Sequence, residues 1–124
     1  MQMLREIANV KQIKNEPRRR WFSSPTLDLF IWYDDDDAII QFQICYDKGT
    51  AERALTWHFE KGLLHHSVDD GESRTFRMKG SPILVSDGEF DPEIIMSKFR
   101  EIAGDIDYST VNFILDNIQS SAKP

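Results

Sequence analysis

Cysteine is almost missing: Cys45 is the only one in 124 residues. A single thiol closes no internal disulfide and builds no all-cysteine metal site, which excludes a secreted disulfide scaffold. Long apolar runs are lacking too, and none approaches the roughly 18 residues of a membrane span. The opening residues MQMLREIANVKQIK hold no apolar segment of the secretory kind. Glycine is sparse, at six residues. No glycine-rich phosphate loop, no G-x-S-x-G elbow and no H-E-x-x-H or C-x-x-C spacing occurs. These absences lead to the expectation of a cytoplasmic protein without a cofactor. Its length suits a single domain over residues 1–124.

What is present is an ordinary globular composition, 40% hydrophobic and 29% charged, with eight Phe, three Trp and three Tyr to build a core. The net charge of −6 is unevenly spread. The first twenty residues hold six basic groups against two acidic ones, which leaves nine basic against nineteen acidic beyond them. So acidic a body repels a nucleic-acid backbone, and neither nucleic acid nor a membrane is an expected partner.

From Leu27 to Val68 the hydropathy alternates with period two, the mark of half-buried antiparallel strands. Strands are expected at Leu27–Tyr33, Ala38–Tyr46, Glu52–Glu60 and Leu63–Val68, followed by Arg74–Lys79 and a short Ile83–Val85. A hairpin centred on Asp35–Asp36 would pair Tyr33 with Ala38, Ile31 with Ile40, Leu29 with Phe42 and Leu27 with Ile44. A two-residue turn at Lys61-Gly62 would pair Phe59 with Leu64, Trp57 with His66 and Leu55 with Val68 on the core face. His58 and His65 would then meet on the other face. After Gly88 the period changes. Asp91-Pro92-Glu93 opens a helix that ends at Gly104, with Ile94, Ile95, Lys98, Phe99 and Ile102 on one face. Asp107 caps a second helix through about Gln119, with Val111, Ile114, Leu115 and Ile118 as its face. The sum is an α+β fold: an antiparallel meander of about five to seven strands with two C-terminal helices on one face. At the start, Leu4, Ile7, Val10 and Ile13 fit a short helix. Val10–Lys14 fits an edge strand equally well, and Arg18–Ser23 fits a further strand.

Several stretches have the look of one protein group: Glu16-Pro17-Arg18-Arg19-Arg20-Trp21-Phe22, Asp28-Leu29 with Trp32, Gln43 through Lys48, Ala54-Leu55-Thr56-Trp57, Val68 through Glu72, and Pro82 through Val85 with Asp87-Gly88. In these the chain resembles a group of small uncharacterised bacterial proteins, over roughly residues 11 to 115. The resemblance implies a bacterial source and brings no activity with it. His58, His65 and His66 stand outside its motifs.

Five features bear on function. Arg18, Arg19 and Arg20 beside Trp21 have the chemistry of an anion clamp, with the ring stacking on a base or on an arginine. In a strand Arg18 and Arg20 share one face, and Arg19 and Trp21 the other. The alternative is that the arginines pair with acids on neighbouring strands while Trp21 packs in the core. Trp57 and His66, facing each other across two strands, join these as ligand-binding candidates. His58 and His65, with Glu60, are the weak candidates for a metal. Asp34–Asp37 and Asp69-Asp70-Gly71-Glu72 are carboxylate clusters that solvated turns explain. Cys45 has no well-placed base, since a register that pairs His58 with Gln41 keeps the imidazole away. Phe30, Trp32 and Ile39 form an apolar patch on the second sheet face, to be covered by the N-terminal segment or by a partner, including a second copy. The chain is thus expected to be a non-catalytic binding or interaction domain. Its ligand would be an unidentified protein or a small anion at Arg18–Arg20. The competing reading is a small enzyme or metal protein using His58 and His65.

Overall fold

The computed structural model describes residues 3–48, 53–67, 91–104 and 106–122. Its strands are β1 (Arg5–Glu6), β2 (Arg18–Ser23), β3 (Leu27–Tyr33), β4 (Ile39–Tyr46), β5 (Arg53–His58) and β6 (Gly62–Ser67). They form one antiparallel sheet in sequence order, with helices α1 (Pro92–Ile102) and α2 (Tyr108–Ala122) following. The α+β meander with two C-terminal helices is therefore the observed fold. The strands expected at Arg74–Lys79 and Ile83–Val85 lie outside the described residues, as does the Asp69–Glu72 cluster.

Both faces of the sheet are closed. On the first, Phe22, Leu29, Ile31, Phe42, Ile44 and Leu55 meet Ile95, Phe99, Ile102, Ile114 and Ile118 of the helices. On the second, Phe30, Trp32, Cys45 and Ala54 form a smaller buried cluster with Trp21 and Ile40 against it. Double burial explains why every residue of β3 is buried although its sequence contains Asp28.

Two turns change what the sequence pattern predicts. The β3–β4 hairpin pairs Leu29 with Ile44 and Ile31 with Phe42, two residues away from the expected register. An even shift keeps the apolar faces together. Its cause is the aspartate turn. Asp34 N–H donates to Ala38 O, Asp37 takes φ 65°, and the ladder shifts between Trp32 and Tyr33. The shift moves Ile39 onto the first face and Ile40 onto the second, the reverse of strict alternation.

The β5–β6 turn has three residues, Phe59 to Lys61, with Gly62 at φ 77° opposite His58. One extra residue swaps faces across the hairpin. Trp57 therefore pairs with Leu63, Leu55 with His65 and Ala54 with His66, not as the two-residue turn required. Phe59, expected in the core, is 57% exposed.

Helix α1 starts as the sequence dictates. The Asp91 carboxylate accepts from the Glu93 amide and Pro92 opens the first turn, with Gly104 at φ 48° just past the end. Its buried face is Ile95, Met96, Phe99 and Ile102, while Ile94 is exposed. Asp107 caps α2 by accepting from the Thr110 amide and hydroxyl. The N-terminal segment is not helical. Leu4 is buried in the first core and its amide donates to Ile102 O at the end of α1. Strand β1 then pairs with Phe22 and Ser23 alone.

Candidate functional site

The three arginines fall on β2 as strand alternation requires. Arg18 and Arg20 lie opposite Tyr33 and Ile31 on the helix-covered face, and Arg19 and Trp21 lie opposite Trp32 and Phe30 on the other. They line a cleft of about 540 Å³ whose far wall is the chain from Glu6 to Gln12. The short β1 leaves room for that cleft: it covers only the Phe22–Ser23 end of β2, so along that edge the arginine end has no strand beside it among the described residues.

Each arginine side chain is in a different state. Arg20 is held firmly. Its Nε and Nη2 donate to the two Glu6 oxygens at 2.9 and 2.8 Å, and Nη1 donates to the Tyr33 hydroxyl at 3.2 Å. The bidentate hydrogen bond drives the Glu6 carboxyl below its usual range and raises the guanidinium further above its own. Arg18 lies over the Tyr33 ring at 4.4 Å from its centroid and donates to Asp37 at 2.7 Å. Both members of that second pair are exposed. Such pairs contribute about 0–1 kcal/mol, so the Arg18 guanidinium can exchange Asp37 for another anion at little cost. Arg19 is engaged through its main chain. Its N–H donates to Gln12 Oε1 and its carbonyl accepts from Gln12 Nε2, each at 2.9 Å. The acids that meet Arg18 and Arg20 come from a turn and from β1, so pairing and a cleft coexist here. Trp21 stacks on Phe30 at 5.6 Å, half-buried. It is packing on the second face, and among the described residues its indole N–H has no hydrogen-bond partner.

The other ligand candidates lie elsewhere. Trp57 is buried in the first core, stacked on Phe42 at 5.3 Å and edge-on to Phe113 at 5.4 Å. His66 is opposite Ala54, separated from β2 by three intervening strands, and its side chain lies outside what is described. The face swap at the β5–β6 turn parts His58 from His65. His65 is buried on the first face with Nε2 at 2.5 Å from the Tyr46 hydroxyl. His58 lies opposite Gln41 on the second, its Nδ1 accepting from the Glu60 amide at 3.1 Å. Burial, reinforced by Lys61, depresses the His58 pKa below its ordinary value. These imidazoles cannot share a metal, and no group of three metal-ligating side chains occurs among the described residues. The four aspartates make a turn. The Asp34 carboxylate accepts from the Asp36 and Ala38 amides, and Asp37 serves Arg18. Cys45 is buried opposite Asp28 and Ala54. Phe30 and Trp32 are each 4% exposed, so the expected apolar patch is already covered within this chain, and Ile39 lies on the first face instead.

One polar cluster went unnoticed in the sequence. Asp28, 1% exposed, accepts from Ser23 Oγ at 2.6 Å and from Lys48 Nζ at 2.8 Å, and the ammonium also reaches Ser24 O at 2.9 Å. The signal available was an Asp inside an otherwise apolar strand. Such a residue demands a cation, and Lys48 follows the strand that pairs with it. The cluster staples the two hairpin ends and leaves no open space for a ligand atom beside the carboxylate.

No helix among the described residues is long and apolar enough to cross a membrane. No family model, no curated protein and no solved structure matches the chain.

Proposed function

We propose that the protein is a non-catalytic binding domain, bacterial and cytoplasmic, whose ligand places an anionic group in the cleft beside β2. The observation that carries this reading is the state of Arg18: a guanidinium lining the cleft, stacked on Tyr33 and, among the described residues, ion-paired only with an exposed turn aspartate. Arg20 with Glu6 supplies the rigid wall and Arg18 the exchangeable cation. A metal shared by His58 and His65 is disfavoured, because the two rings are on opposite faces of the sheet.

Citrate and inorganic phosphate are the probes. Amide and arginine Nε–H shifts in an NMR titration should change at Arg18–Arg20. Arg18→Ala should weaken citrate binding about tenfold, the worth of one charge-assisted hydrogen bond, and leave the melting temperature nearly unchanged. Equal citrate binding by the wild-type protein and Arg18→Ala refutes the reading. Arg20→Ala is the poorer test, since it also removes the Glu6 and Tyr33 contacts.

A further inference from the structure

The way Gln12 meets Arg19 carries more than an anion site. In this part of the sheet edge, Trp21 O accepts from the Ile7 amide, and Arg19 turns both its N–H and its carbonyl outward. An outward pair of this kind is the half of a ladder that a neighbouring strand completes. No strand of the described chain completes it. A side-chain amide does so instead, giving one N–H and accepting one N–H as a strand residue would, from the exposed Gln12. The cleft beside it is open, and the side chains flanking Arg19 on one face are Arg18 and Arg20.

We infer that the β2 edge at Arg18–Arg20 binds an extended acidic peptide as an added antiparallel strand, which replaces the Gln12 amide on Arg19. This rests on the anion-binding reading and specifies its ligand. The register fixes the recognised pattern. In an antiparallel pair the peptide residue opposite Arg19 exchanges both main-chain bonds with it, and its two neighbours lie opposite Arg18 and Arg20. Their side chains share the arginine face, so the ligand reads acid–X–acid. The acid opposite Arg18 takes the place of Asp37, and the other approaches the Arg20–Glu6 wall. Main-chain bonds supply affinity and the alternate carboxylates supply specificity, the general logic of strand addition.

The test uses the full chain and fluorescein-labelled acetyl-Thr-Glu-Val-Glu-Thr-amide in fluorescence polarisation. Three results are expected. The peptide binds, and its analogue with an N-methylated valine binds about fivefold or more weakly, because one ladder hydrogen bond is gone. Gln12→Ala binds the peptide severalfold more tightly, because the internal competitor is removed. The Gln-Val-Gln peptide binds more weakly than Glu-Val-Glu. The inference is overturned by no binding of the Glu-Val-Glu peptide, by equal affinity for the N-methylated analogue, or by weaker binding in Gln12→Ala. If any of these occurs while citrate still depends on Arg18, strand addition alone has failed. Loss of the citrate dependence removes the anion reading beneath it.

Discussion

Gly104 sits where three parts of the fold meet, and replacing it with Ala should cost about 2 kcal/mol. Its φ of 48° lies in the left-handed region, where an L side chain costs roughly 1–2 kcal/mol. A reduction in unfolded-chain entropy returns about 0.4–1 kcal/mol of that. The added methyl would then lie 2.8 Å from Met3 Cβ and 3.2 Å from its Cγ, well inside the ~3.5–4.0 Å optimum for two carbons. Met3 Cβ is fixed to the main chain and cannot rotate away, so the segment before Leu4 must move. Leu4 is buried and its amide is bonded to Ile102 O, so that movement pulls on the end of α1. Urea denaturation of Gly104→Ala, Met3→Gly and the double variant separates the two contributions. Met3 is exposed, so Met3→Gly alone should cost little. The double variant should recover about 1 kcal/mol, with coupling of that size in the cycle. Coupling indistinguishable from zero would show that the close approach to Met3 is not a feature of the folded protein. In that case the docking of residues 3–6 on α1, and with it the placement of the cleft's far wall, would have to be abandoned.

Trp32→Glu should destabilise by about 3–5 kcal/mol through a charge buried in the second cluster; circular dichroism should show unfolding, and a folded variant that merely changes its sedimentation would contradict that burial. Asp28→Ala should cost about 3 kcal/mol by stranding the Lys48 ammonium, and Asp28→Ala with Lys48→Met should cost less than Asp28→Ala alone; a further loss in the double variant would show that the pair is not coupled. The Arg20 hydrogen bond keeps Glu6 ionised to a lower pH than usual, so its stabilisation is present above about 4.5, the ordinary value, and is lost as pH falls through the lowered one. Because that pair is partly exposed, the effect is at most about 1 kcal/mol, and Glu6→Gln should remove it from the acid limb of a stability–pH curve. His58 moves in the same direction: its proton NMR midpoint should fall below 6.5, with stability full above that pH and declining on acidification, and a midpoint at or above 6.5 would contradict its burial.

Most of the architecture was legible because burial here follows backbone period. Strands β3 and β4, both helix caps and the sharing of faces in β2 could be read from alternation and from Asp91, Pro92 and Asp107. Turn length was not legible. The four aspartates gave no way of knowing that Asp37 would take the left-handed position usually filled by glycine. At the β5–β6 turn, Lys61-Gly62 looks like a two-residue turn, yet Gly62 serves as the left-handed residue after three others. That single residue decides which histidine faces the core. The site was half legible for the same reason. The arginine run announces cations and their alternation, but not that Glu6 would reach Arg20 from β1 or that Gln12 would meet Arg19. Those contacts depend on where an irregular segment returns, and periodicity carries no information about that.

The irregular segment is also what makes an exchangeable edge physically economical. The chain is tied down ahead of the cleft by buried Leu4, by the β1 pairing and by the Ile7–Trp21 hydrogen bond. Beyond that, Asn9 and Asn15 turn the backbone at φ 58° and 71°, and residues 11–14 between them are exposed. Asparagine adopts this conformation at less cost than most residues, so the path needs no core contact to hold it. Removing the Gln12 amide from Arg19 therefore breaks two exposed hydrogen bonds and uncovers no apolar core. Each such bond is worth about 0.5–1.5 kcal/mol net, and an incoming main chain replaces both. Had β1 run on to cover Arg19, the same exchange would have required unpairing a strand anchored in the core. The shortness of β1, with the arginines placed just beyond its end, keeps the edge satisfied in the free protein and available to a ligand that brings its own amide.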